Sequence, residues 1–140
     1  MNAKLTIDFL SGVEFFFHTR CKLEKGDNRV EITFTETVPG AEINTTIGFL
    51  GKRVTVFRAV RVREWMPDTV DFDQFFVLDE SSERYARALL HLEKFELFLL
   101  AEGLQVEYTE DGVEAKIRCF MGYEDARSDE MTLRLICRAE

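Results

Sequence analysis

Glu96 is the acid most out of place in this chain. Ser81 to Glu102 reads as one long helix. At 100° per residue it sets Glu96 between Tyr85 and Leu89 in angle, inside a stripe of Tyr85, Ala88, Leu89, Leu92, Phe95, Leu99 and Leu100. A carboxyl buried there needs a partner or a raised pKa. It could serve as a general acid or base, or anchor a ligand in a pocket. Arg58 is the natural counterpart, because it is in phase with Val56 and Val60 on a strand pattern. The simpler reading is a core glutamate bonded to Arg58 or to a tyrosine hydroxyl, or snorkelling past the helix edge, and a buried Arg58–Glu96 pair would fix specificity more than add stability. No second catalytic group is tied to Glu96 by spacing.

The other chemistry-bearing residues form no known constellation. His18 falls on the polar side of a strand pattern and His91 near Arg87 and Lys94, so both read as solvated. Asp68, Asp71 and Asp73 are spaced like part of a calcium loop but lack its central Gly and terminal Glu. Lys52, Arg53, Arg58, Arg61 and Arg63 make a basic run interleaved with Phe57 and Trp65. The aspartates that follow it read as local neutralisation rather than as a phosphate stripe. Cys21, Cys119 and Cys137 are odd in number and contain no CxxC. Each sits in a strand-like run in phase with apolar neighbours, which reads as a small buried hydrophobe in a reducing compartment. GxGxxG after a strand, GxxxxGK[ST], GxSxG, HExxH and metal-ligand spacings are all absent. The expectation is no cofactor and no metal.

The elements that would position these residues are mostly strands. Leu5, Ile7 and Phe9 alternate with polar residues up to Ser11-Gly12. Val13, Phe15, Phe17, Thr19, Cys21 and Leu23 share one face of the next strand, with Phe16 on the other. Lys25 to Asn28 is a turn, Val30 to Phe34 a strand, and Pro39-Gly40 a second turn. Ala41, Ile43, Thr45, Ile47 and Phe49 share one face of a fourth strand. Gly51-Lys52 fits a two-residue hairpin. Val54, Val56, Val60 and Val62 make a fifth strand, and Phe57 and Ala59 fall on its wrong face, which predicts a bulge near Arg58. Residues 64–79 read as a loop with a short extended piece. After the helix, Gly103 is its stop, and Leu104–Tyr108, Val113–Cys119 and Met131–Cys137 are strands.

The fold class expected is α+β, mainly β. It consists of antiparallel sheets or a partly closed barrel of about eight strands, with one long helix between strands 5 and 6. The whole of 1–140 reads as one domain. Phenylalanine is in surplus, 13 residues against three Tyr and one Trp, which favours core or dry contact area. A net charge of −8 disfavours nucleic acid and anionic membrane as partners. No leader pattern and no apolar run of membrane-spanning length is visible, so the localisation expected is cytoplasmic, or a virion component.

The helix is apolar on a second stripe, Ala86, Leu90, Leu97, Phe98 and Ala101. It is therefore expected to be covered on both sides. The function this suggests is a non-catalytic protein-interaction module, either a self-associating subunit or an acidic adaptor or inhibitor. It would use that stripe as its interface toward a protein partner or a second copy. A second class is a small β-barrel for an apolar ligand, lined by Phe15, Phe17, Phe34 and Phe49, with Glu96 as its polar anchor. A third is an enzyme that uses Glu96 with one of the loop aspartates, which no spacing demands.

Overall fold

The computed structural model describes residues 1–11, 16–62, 72–79, 85–90, 95–123, 126–127 and 130–140. Side chains are described for 1–8, 10, 16–62, 77, 103–118, 130 and 132–140. The chain runs through β1 (Asn2–Ser11), β2 (Phe16–Gly26), β3 (Arg29–Val38), β4 (Ala41–Leu50), β5 (Arg53–Val62), β6 (Phe72–Asp79), β7 (Tyr85–Leu90), β8 (Phe95–Thr109), β9 (Gly112–Tyr123), β10 (Ala126–Arg127) and β11 (Met131–Ala139). They form one antiparallel sheet in the order β6-β5-β4-β3-β2-β1-β11-β9-β8-β7, with β10 on β9. Strands β1 to β5, β8, β9 and β11 make an eight-strand antiparallel half-barrel.

Local sequence explains the first five strands. Apolar residues recur every second position, and each tight connection carries the residue its backbone needs. Pro39 presets the turn between β3 and β4, and Gly40 takes φ +81° after it. Gly51 takes φ +58° between β4 and β5. The ladders follow without a slip from Arg29↔Leu50 to Val38↔Ala41 and from Ala41↔Val62 to Leu50↔Arg53.

Two hydrogen bonds show how far the sheet curls. The Tyr108 hydroxyl donates to the Gly51 carbonyl at 2.7 Å. In the sheet order β8 stands six strands from β4, about 29 Å across a flat sheet. Lys25, beside the β2–β3 turn, donates to the carbonyls of Thr109 and Glu110 beside the β8–β9 turn. One end of the half-barrel is therefore pinned by its own hairpin turns. The residues nearest that end, Leu23, Val30, Phe49, Val54, Val113 and Cys137, are all less than 2% exposed. Toward the other end the same faces carry Ile7, Phe17, Phe34, Val56 and Leu133, which are only partly buried.

The helix expected between strands 5 and 6 is not there, and no helix occurs among the described residues. Residues 81–102 instead hold β7 and the first part of β8, paired from Tyr85↔Leu100 to Leu90↔Phe95. The β8–β9 ladder that starts at Thr109↔Gly112 carries back to Leu97↔Tyr123, with an irregularity between Ala101 and Gly103. The fold class is corrected accordingly to an antiparallel β sheet. A continuous apolar run has no decisive period, because residues apolar around a helix are equally apolar on both faces of a strand. The long partner β9 decides between them. A helix at 95–101 would leave the backbone groups of 119–123 without that ladder, and unpaired buried backbone is costly.

Two smaller expectations also change. The bulge near Arg58 is absent, since the β4–β5 register passes Thr45↔Arg58 and Thr46↔Phe57 unbroken. Phe57 simply faces outward, 39% exposed. Within the presumed loop 64–79, Phe72–Asp79 is an eight-residue strand on β5.

Candidate functional site

The concave face carries Thr45 and Arg58 in a mainly apolar surround. Register places Phe34 (β3), Thr45 (β4), Arg58 (β5) and Gln74 (β6) side by side across the sheet. The row nearer the pinned end is Ile32, Ile47, Val56 and Phe76, and the row on the other side is Glu36, Ile43, Val60 and Phe72. Alternation alone puts the Thr45 and Arg58 positions inside, since both are in phase with core residues of their strands. Thr45 is the one polar residue of the described core, 4% exposed. Its hydroxyl has no hydrogen-bond partner among the described residues. Arg58 is half-buried and already engaged by a neighbouring group.

Aromatic rings stand beside this row. Phe17 and Phe34 pack with centroids 5.5 Å apart and planes at 41°, a tilted geometry favoured by their ring quadrupoles. Phe49 lies deeper, 1% exposed, and belongs to the floor rather than to a lining. Of the lining expected from sequence, Phe17 and Phe34 are therefore on the half-buried wall and Phe49 beneath it. Phe15 lies outside the described residues.

The other expected site residues fare unevenly. Arg58 and Glu96 are carried by β5 and β8, each second from one end of the sheet order, so no ladder joins them. The Glu96 side chain lies outside the described residues, as do those of Ala86, Leu90, Leu97, Phe98 and Ala101. At backbone level, Ala86 pairs with Leu99, Leu90 with Phe95, Leu97 with Ala88 and Phe98 with Arg87. The helical angle that grouped those five has no counterpart in two antiparallel strands. His91 and the aspartates at 68 and 71 also fall outside the description. His18 is exposed on the outer face, its Nδ1 3.3 Å from the Thr6 hydroxyl. Among the described residues no cluster of His, Cys, Asp or Glu could hold a metal, and no helix is long and apolar enough to cross a membrane.

Sequence reading missed a contact between two thiols on the floor. Cys21 on β2 and Cys137 on β11 flank β1, and their sulfurs meet at 3.6 Å over Ala3, the small residue paired with Cys21. Both are buried and free. Burial pushes the Cys21 thiol above its ordinary value of 9.0. Burial raises Cys137 further, and the adjacent Cys21 adds to it. The sign for stability follows. The folded chain keeps these protons at pH values where the unfolded chain releases them. Their contribution is whole below about pH 9 and is lost as pH rises toward the folded-state values. We expect unfolding free energy to fall with pH above that point, by at most about 1.4 kcal/mol per pH unit for each thiol. Urea titrations from pH 8 to 11 check it. Cys137→Ala should flatten the slope, and an equal slope in that variant would assign the loss to other groups. The same depressed thiolate fraction leaves both cysteines poor nucleophiles.

Comparison with known proteins bears on the fold. No family model and no curated protein matches the chain. Among solved structures, it is similar to the crystal structure of the ywiB protein from Bacillus subtilis, with a TM-score of 0.60 at 14% sequence identity. The superposition covers 99% of this chain and 90% of that one. At that identity the likeness extends to the path of the backbone and not to the chemistry of its side chains.

Proposed function

We propose that the concave face binds one small, largely apolar molecule with a single anionic or carbonyl head, and that the protein acts as a non-catalytic binder. The observation that carries this reading is the Thr45 hydroxyl, buried in register with Arg58 and without a hydrogen-bond partner among the described residues. Leaving a buried donor unsatisfied costs about 1–3 kcal/mol. An oxygen on a bound ligand would accept that proton and recover the cost. Arg58 adds a guanidinium, a planar fork of five N–H donors, to the same row. Ile7, Phe17, Phe34, Val56 and Leu133 offer the apolar wall, partly buried over a fully buried floor. An aliphatic carboxylate fits this division of apolar wall and few convergent polar groups. The interaction reading, by contrast, loses the helix on which its two stripes were drawn.

The test is competition between dodecanoate and an apolar naphthalene sulfonate dye, followed by dye fluorescence. Dodecanoate should displace the dye, and Arg58→Met should weaken it on the order of tenfold or more. Thr45→Val should weaken it as well, yet raise the stability of the ligand-free protein by about 1 kcal/mol, because a methyl needs no partner. Urea unfolding without ligand reads that second effect. Failure of both probes to bind the wild-type chain would remove the proposal.

A further inference from the structure

The outer face holds a charge arrangement that folding alone does not favour. Arg20 on β2, Lys4 on β1 and Arg138 on β11 occupy one transverse row, since Lys4 pairs in register with both arginines. Directly opposed positions in antiparallel strands hold their Cβ atoms about 4.5–5.5 Å apart, where like charges repel. Three cations in a line are thus placed against the local preference for opposite charges in register. All three are exposed.

Their surroundings do little to neutralise them. Glu140 approaches the Arg20 Nε at 3.5 Å. Glu114 is opposite Ile136 and so diagonal to Arg138, but no ion pair joins them. Asp8, one row beyond His18 and Thr6, is taken by Arg134 at 3.3 Å. Lys22, on the other side, donates to the Asn2 side chain at 2.6 Å. Lys4 and Arg138 have no ion-pair partner among the described residues. The row lines a depression of about 570 Å³ that also touches Thr6 and His18, two groups able to donate to an oxyanion, and Glu140, the one carboxylate of its lining, which sits beside Arg20.

We infer that this outer-face row is a binding site for a phosphoryl group. Two arginines flanking a lysine offer forked and point donors together, a combination suited to a multiply charged tetrahedral anion. The bound anion would cancel the repulsion that the empty row maintains. This site lies on the face opposite the concave one, so it stands or falls independently of the proposed interior ligand.

Inorganic pyrophosphate is the soluble probe, titrated at low salt by calorimetry. Vesicles of phosphatidylcholine with and without phosphatidic acid test a lipid headgroup as the source. Binding in either arm is expected to weaken on the order of tenfold in Lys4→Thr and in Arg138→Ser, and to weaken with added salt. Both variants should melt no lower than wild type without ligand, since each relieves repulsion. Pyrophosphate binding with no vesicle response identifies a soluble phosphate ligand, and response only to phosphatidic acid identifies a headgroup. Absence of binding in both arms, or binding unchanged by both substitutions, would overturn the inference.

Discussion

Phe49→Ala should lower the unfolding free energy by about 3–5 kcal/mol, the range for emptying a fully buried phenylalanine site. Phe49 is 1% exposed and stands in register between Val30 and Val54, themselves 0% and 1% exposed. Its neighbours belong to ladders pinned at the adjacent hairpin ends, so the cavity has little room to collapse. Domains of this kind are stable by only about 5–15 kcal/mol, and one ring on the floor is a large share of that. Phe57→Ala is the control, because Phe57 is on the next strand, faces outward and is 39% exposed. It should cost about 1 kcal/mol or less. Urea midpoints with unchanged slopes read both values. Equal costs at the two positions would mean that the inside and outside of β4 and β5 are assigned wrongly.

That assignment was legible from residues alone over the first four strands, and on β5 only once the bulge expected near Arg58 is dropped. Ala41, Ile43, Thr45, Ile47 and Phe49 alternate cleanly, and Pro39-Gly40 and Gly51 leave few ways to connect the strands they separate. The inward phase of Phe17, Phe34 and Arg58 follows from the same alternation. What alternation cannot say is whether the Thr45 hydroxyl finds a partner, since that depends on β3 and β5 together. Residues 85–101 failed for a different reason. Leu97-Phe98-Leu99-Leu100 is apolar at every position, so no period separates helix from strand, and the choice falls to the distant β9. The thiol contact and the cation row are longer-range still. Cys21 meets Cys137 across 116 positions of chain. Lys4 meets Arg138 only because β1 pairs with the last strand. Each residue looked unremarkable beside its own neighbours, and register alone brings them together.

Register also makes Gly112 a sensitive position, and Gly112→Ala should destabilise the chain by about 3 kcal/mol or more. Gly112 opens β9 and pairs with Arg138 of β11. A Cβ there would overlap the Cys137 carbonyl oxygen and lie 2.9 Å from its carbonyl carbon and 3.2 Å from the Arg138 Cα. These are backbone atoms of a strand also laddered to β1 on its other side, so no rotamer change can relieve the overlap. Overpacking that side chains absorb costs about 1–3 kcal/mol, and backbone displacement belongs at or above the top of that range. Gly103→Ala, on β8 at the other edge of β9, is the comparison. Its nearest contact would be the Arg118 Cβ at 3.4 Å, an ordinary approach. That variant should change stability by about 1 kcal/mol or less in either direction. Because Gly112→Ala must move β11 at 137 and 138, it should also loosen the floor around the Cys21–Cys137 contact. Iodoacetamide labelling of the native protein would then be faster in this variant than in wild type. Should Gly112→Ala unfold at the wild-type urea midpoint, β9 and β11 do not approach as closely as their register requires.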